Sequence, residues 1–280
     1  NLNKTSVMWF RRDLRINDNV ALSEAIKHSE QVILVFILDP AQIIEKSTVN
    51  QSAFFASVQK LKDNLTDNNS YLHVLQGDPI TIFDKIKKLC PKWQNIYFNF
   101  DERGYGKQRD DIVKKYCREV LGVNPHSFGD YNLHEATEIK KDNGDYYKMF
   151  TPYFKKWVEL TKKPPIKIKI NDVRQKNISL PLANFDNKLN QLIDKKLDYA
   201  YINQVGEVSA NKTLKEFIQT KIVNYEKNRD MPMLNGTSHL SRYLRTGEIS
   251  IRTIFEAVKQ APDSDDRMTF IKELCWRDYY

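Results

Sequence analysis

The run "QVILVFIL" at residues 31–38 constrains this chain more than any other stretch. It is apolar after its first residue, rich in β-branched side chains, and does not alternate. A strand with one wet face alternates; a strand without alternation is covered on both faces, as in a parallel sheet between two layers of helices. The neighbouring sequence repeats what such a sheet needs. "SVMWF" (6–10), "YLHVL" (71–75), "NIYFNF" (95–100) and "VNPHSF" (123–128) read as further strands. Between them lie segments of helical spacing, the first carried by Val20, Leu22, Ala25 and Ile26. Strands alternating with helices predict an α/β fold, a Rossmann-like parallel five-stranded sheet with helices on both faces.

The pattern changes after residue 160. "TKKPPIKIKINDVRQKNISLPLANFDNKLN" is rich in Lys, Asn and Pro, has no sustained period, and reads as an interdomain linker over 161–200. Beyond it the strand signals stop. Leu214, Phe217, Ile218 and Ile222 form a helical stripe. "SIRTIFEAVKQA" (250–261) reads as a helix with Ser250 as its N-cap and Pro262 past its end. "DDRMTFIKELCWRDYY" (265–280) reads as another. The expected organisation is an α/β domain over 1–160, the linker, and an all-helical part over 201–280.

Composition narrows the function. No apolar run is long enough to span a membrane, and the first residues lack a signal-peptide core. Cys90, Cys117 and Cys275 are far apart and odd in number, which suits reduced thiols in the cytoplasm. No C-x-x-C or H-E-x-x-H pairing occurs, so no metal site is expected. The fingerprint G-x-G-x-x-G is missing after the first strand, which argues against a nicotinamide dehydrogenase. The net charge of +8 favours polyanionic partners, nucleic acid first, unless the lysines merely solvate the surface.

Ligands of open parallel sheets bind beyond the carboxyl ends of the strands. The loop after the first strand holds Arg11, Arg12, Asp13, Arg15 and Asp18, which read first as a salt-bridged loop tying the sheet to its neighbours. In "GTSHLSRYLRTGEIS" (236–250), Thr237 or Ser238 can cap a helix that runs to about Arg245 and stops at Gly247. Such a helix start is also a ready phosphate site. On the last helix, Glu273, Trp276, Arg277 and Tyr280 fall at i, i+3, i+4 and i+7, while Met268, Ile271, Leu274 and Cys275 form a separate core stripe. A carboxylate, an indole, a guanidinium and a phenol on one face suit stacking on a base or an isoalloxazine-like ring. The alternative is aromatic core beside a surface ion pair.

At these residues the sequence resembles the DNA photolyase/cryptochrome family. "MWFRRDLRINDN" (8–19) resembles its opening strand and loop, and "FTPYFKKW" (150–157) a segment at the end of its α/β domain. "YEKNRDMPMLNGTSHLSRYLRTGEIS" (225–250) and "ELCWRDYY" (273–280) resemble the start of its helical flavin domain. The segments run in the family's order over almost the whole chain, and the closest likeness is to its bacterial class I members that repair cyclobutane pyrimidine dimers.

The resemblance implies FAD as cofactor. It implies that Thr237, Ser238, His239, Leu240 and Ser241 hold the FAD phosphates, that Tyr225 is a further flavin contact, and that Arg277 points at the cofactor. It implies DNA carrying pyrimidine dimers as substrate. Arg229 matches a DNA-backbone contact; Glu273 and Trp276 match residues facing the flipped-out dimer, and Tyr280 a neighbouring aromatic. The implied reaction is light-driven: excited, reduced FAD donates an electron, the cyclobutane ring splits, and the electron returns. A second, antenna chromophore is implied for the α/β domain. Members that bind folate carry an Asn-Glu pair where this chain has Tyr105-Gly106, which argues against folate and leaves a deazaflavin, a flavin or no antenna. The resemblance further implies a monomer whose helical domain is incomplete and which is inactive by itself. Two other readings are a blue-light photoreceptor of the cryptochrome branch and a nucleotide-binding α/β module without activity.

Overall fold

The computed structural model describes residues 4–101, 104–222 and 238–280. Five parallel strands form one sheet: β1 (Thr5–Phe10), β2 (Gln31–Leu38), β3 (Leu72–Gln76), β4 (Trp93–Asn99) and β5 (Asn124–Phe128), in the order β3-β2-β1-β4-β5. The α/β fold expected from the sequence is therefore present. The chain moves outward from β1 to β3, then returns to β4 on the other side of β1. That reversal opens a crevice beyond the carboxyl ends of β1 and β4.

The lack of alternation in β2 has the expected cause. Leu34, Phe36 and Leu38 point into one core with Met8, Phe10, Leu72 and Val74. Ile33, Val35 and Ile37 point into the opposite core with Val7, Trp9, Ile96 and Phe98. The first core is closed by α1 (Val20–His28) and α2 (Val49–Asp67), the second by α3 (Pro79–Leu89) and α4 (Gly104–Tyr116). Burying each such aliphatic side chain is worth roughly 1.5–3 kcal/mol. Asn19, Thr48 and Asp78 each accept a backbone N–H in the first turn of α1, α2 and α3, which fixes where those helices begin.

The chain divides into two compact units: residues up to Asp130 with Ile166–Gly206, and Tyr131–Pro165 with Glu207–Tyr280. This differs from a boundary at 160 followed by a linker over 161–200. Residues 166–206 are built into the α/β unit. They form α6 (Ile170–Lys176), α7 (Asp186–Gln191) and α8 (Tyr199–Asn203). Val173 and Leu189 are fully buried in the first core. Asn177 accepts the Tyr71 N–H at 2.8 Å and donates to Val32 O at 3.1 Å. The Leu180 N–H donates to His73 Nε2 at 3.1 Å and the Phe185 N–H to Val74 O at 3.3 Å. The segment thus covers the edge strand β3, which would otherwise present open backbone groups.

The second unit is helical, with α5 (Phe150–Glu159), α9 (Glu207–Glu216), α10 (Ser241–Thr246), α11 (Ile251–Gln260) and α12 (Asp265–Tyr279). Trp157, Phe217, Tyr243, Ile254, Val258, Phe270 and Leu274 are buried in its core. Ser250 caps α11 as its sequence predicts, accepting the Thr253 N–H at 3.0 Å. Two expectations are corrected. Met268 is 38% exposed and Phe270 takes its place in the core stripe of α12. The helix expected to be capped by Thr237 or Ser238 begins at Ser241 with Leu240 at its N-cap, and Ser238 Oγ accepts the Leu240 N–H at 3.2 Å, closing a turn ahead of it.

Candidate functional site

The last turns of α12 present an aromatic face. Trp276 lies flat on Phe150 of α5, with ring centroids 3.6 Å apart and planes 6° from parallel. Tyr280 stacks on Trp276 at 5.3 Å and 21°, and Tyr279 meets Trp276 edge-on at 5.4 Å. Trp276 and Glu273 are half-buried, and Tyr280 is 70% exposed. The helical spacing therefore brings Trp276 and Tyr280 together. Arg277 is half-buried and donates to the backbone carbonyl of Tyr131. A half-buried indole backed by Phe150 can receive a second planar group, as it receives the exposed Tyr280 ring here.

Beside this face lies a buried polar hub that spacing alone does not reveal. Asp278 accepts the Leu133 N–H at 3.1 Å on one oxygen. Its other oxygen accepts the His134 N–H and the Trp157 indole N–H, each at 2.9 Å. Burial pushes the Asp278 carboxyl up to about 6, while the three donors and Arg277 pull it down. Lys162 lies 3.9 Å from the centroid of the Trp157 ring and donates to the Leu160 carbonyl at 2.8 Å; burial holds its ammonium down at about 8. His134 Nδ1 is 2.6 Å from Glu138, and burial lowers the affinity of that imidazole for a proton. The missed signal was Phe150 and Trp157 at i and i+7 of one helix.

The loop before α10 is the second predicted element. Ser238 and Leu240 are buried, and His239 is exposed with φ +56°, a left-handed backbone. Leu240 stands at the N-cap of α10 and makes no side-chain cap hydrogen bond. At its other end Gly247 takes φ +76°, and the Glu248 N–H returns to Tyr243 O at 2.9 Å, a left-handed helix stop. Tyr225, Arg229 and Thr237 lie outside the described residues.

In the α/β unit, the crevice beyond β1 and β4 holds a charged cluster. Arg11 donates to Asn99 O and Asp110, both at 2.9 Å, and to Asp101 at 2.8 Å. Its guanidinium covers the Trp9 ring at 4.7 Å, and that of Arg109 approaches the same ring at 5.2 Å. Burial raises the Asp110 carboxyl, against the lowering effect of Arg11. Burial also lowers Arg109, with the charge of Arg11 adding to it. Asp39 Oδ2 and Arg109 Nε are buried and meet no hydrogen-bond partner among the described residues. The rest of the loop is structural. Asp13 accepts the Arg11 N–H at 2.7 Å and the Asn99 amide at 2.6 Å, Arg15 pairs with Asp130 at 2.7 Å, and Asp18 binds the Ile166 backbone; Arg12 is exposed.

Gly106, the second residue of the Tyr105-Gly106 pair read as arguing against folate, has a physical reason to be glycine. A Cβ there would lie 2.2 Å from Asp101 Oδ2 and 2.8 Å from Asp101 Cβ. Any side chain would push Asp101 from Arg11. Tyr105 beside it is 54% exposed. Among the described residues no group of three His, Cys, Asp or Glu could hold a metal ion, and no helix is long and apolar enough to cross a membrane. The three cysteines are buried and unpaired, and burial pushes the Cys117 thiol up to about 12.

The family model described as DNA photolyase matches residues 6–169. A deoxyribodipyrimidine photo-lyase of Alkalihalophilus pseudofirmus is 34% identical over 100% of this chain and 59% of its own length. A bacterial class III photolyase from Agrobacterium tumefaciens superposes with a TM-score of 0.81 at 26% identity, over 100% of this chain and 58% of its own. An archaeal photolyase from Sulfolobus tokodaii, solved with two FAD molecules and implicating a novel light-harvesting cofactor, gives a TM-score of 0.76 at 26% identity, over 98% and 58% of the two chains. The chain thus spans about 59% of the length of the curated relative.

Proposed function

Because this chain belongs to the DNA photolyase family, we propose that it serves the light-driven repair of cyclobutane pyrimidine dimers in DNA. The supporting observation is the Trp276 ring, backed by Phe150 and stacked by Tyr280, with Glu273 one turn earlier on the same helix. An indole held flat offers a stacking surface to a base taken out of the helix. Glu273 supplies a carboxylate to its polar edge, and Arg229 and the net charge of +8 supply phosphate contacts.

The described part of the 238–241 loop fits the phosphate end of FAD. It combines a buried serine hydroxyl with a left-handed turn at His239 directly ahead of α10. In this reading Thr237, Ser238, His239, Leu240 and Ser241 hold the phosphates, Tyr225 touches the flavin, and Arg277 divides its guanidinium between Tyr131 O and the cofactor. Reduced FAD, when bound, supplies the electron that opens the cyclobutane ring. The chain's own part is to hold lesion and cofactor together and to keep water out. The crevice around Arg11, Asp39, Asp101 and Arg109 would take the antenna chromophore, with Gly106 arguing against folate.

In this reading the chain acts as a cytoplasmic monomer, and by itself it binds DNA without repairing it. The test is a gel shift of the chain and its Trp276→Ala variant with dimer-containing and undamaged oligonucleotides, alongside dimer splitting under blue light with added FAD. The variant should weaken binding to the dimer selectively. An equal loss on both DNAs would overturn the lesion-stacking role, and splitting by the chain alone would overturn its inactivity.

A further inference from the structure

We propose that Asp278 is the positioning residue for the Trp276 ring, fixing the rotation of the last turn of α12 so that the indole lies on Phe150. The proposal rests on the reading of Trp276 as the lesion-facing ring.

A carboxylate in the last turn of a helix faces the negative end of the helix dipole, and here it is also buried. It is offset by three N–H donors, two from the backbone of residues 133 and 134 and one from Trp157. Trp157 and Phe150 stand two turns apart on the same face of α5. α5 and α12 are therefore joined twice: indole to carboxylate at Trp157 and Asp278, ring to ring at Phe150 and Trp276.

The two joints differ in kind. Stacked rings slide and turn at little cost, whereas hydrogen bonds hold direction. Trp276 and Asp278 are two residues apart in one helical turn, so a rotation of that turn that carried the indole off Phe150 would also pull Asp278 from its donors. The hydrogen bonds of Asp278 thus set an angle that stacking alone would leave loose. Lys162, Arg277, Cys275, His134 and Glu138 are the titratable groups around this hub. None of them accepts the three N–H groups in its place.

The test labels the chain with 5-fluorotryptophan and assigns Trp9, Trp93, Trp157 and Trp276 by single Trp→Phe changes, read by fluorine NMR. In Asp278→Asn one carboxylate oxygen becomes an N–H₂ that cannot accept. The Trp157 and Trp276 resonances should then both shift, Trp276 should become more accessible to a soluble quencher, and Trp9 and Trp93 should stay put. Asp278→Glu should bring the Trp276 signal back toward its original position. A Trp276 signal unchanged while Trp157 moves overturns the proposal. Should the Asn variant unfold, Trp157→Phe decides, since it removes one donor and keeps a ring; an unshifted Trp276 resonance there also overturns it. Dimer binding separates the two ideas. If Trp276→Ala leaves it unchanged, the lesion reading fails while the NMR result still judges the positioning role. If Trp276→Ala lowers it and Asp278→Asn does not, only the positioning role fails.

Discussion

Three residues carry the sharpest expectations. Trp276 is half-buried with an exposed tyrosine stacked on it, so it is not part of the closed core. Its loss should cost about 1–3 kcal/mol of lesion binding, tenfold or more at ~1.4 kcal/mol per decade, with a smaller effect on undamaged DNA. A core indole would instead cost about 3–5 kcal/mol of stability and lower everything together. Melting temperature and the two affinities, measured on one variant, separate these outcomes. Asp278 gives a pH signature. Its carboxyl is raised from 3.8 to about 6, so between those values the folded chain holds more protons than the unfolded one. The stabilisation from its protonation is fully present below 3.8 and is lost as pH rises through about 6. The stability of the chain relative to Asp278→Asn should therefore fall across that window. Paired melts from acid to neutral pH that show a growing advantage would contradict the assignment. Gly106→Ala should displace Asp101 from Arg11 and lower stability by about 1–3 kcal/mol, the usual cost of overpacking, and an unchanged melting temperature would count against that crowding.

The strands were legible because burial on both faces leaves a simple trace, an unbroken apolar run such as Ile33 to Leu38. Segment 166–206 was not, because its anchors follow neither a helical nor a strand period and divide between the two cores. Val173 and Leu189 enter the core singly, and Asn177 works through its side-chain amide on the backbones of β2 and β3. A hydrophobic pattern records none of that. The aromatic face of α12 lies between these cases. Helical spacing correctly joins Trp276 with Tyr280, but cannot show that Phe150 backs the indole or that Asp278 fastens the turn. It also could not send Arg277 to the Tyr131 carbonyl. One experiment tests how essential the irregular segment is. A chain ending at residue 165 lacks the cover of β3 and most of the helical unit, and should melt without cooperativity and bind a hydrophobic dye. Residues 4–130 joined to 166–206 by a short flexible linker should melt in one transition. A cooperative melt of the shorter chain would show that the segment is dispensable.

For the molecule as a whole, the proposed DNA binding rests on the net charge of +8, which makes electrostatics the expected main source of affinity for undamaged DNA. Binding should fall steeply as salt is raised, with a log–log slope of about −0.9 for each phosphate neutralised. A flat salt response in a fluorescence-anisotropy titration would remove nucleic acid from the account. The two units are also interleaved along the chain, the first made of residues up to Asp130 and Ile166–Gly206. A ribosome cannot finish the sheet unit when it finishes the sheet. At about 5–20 residues per second, roughly 4–15 s pass between the emergence of β5 and that of Gly206. During that interval the β3 edge stands bare and Tyr131–Pro165 still waits for the helices it will pack with. Newborn chains, more than finished ones, are therefore the population that chaperones should meet.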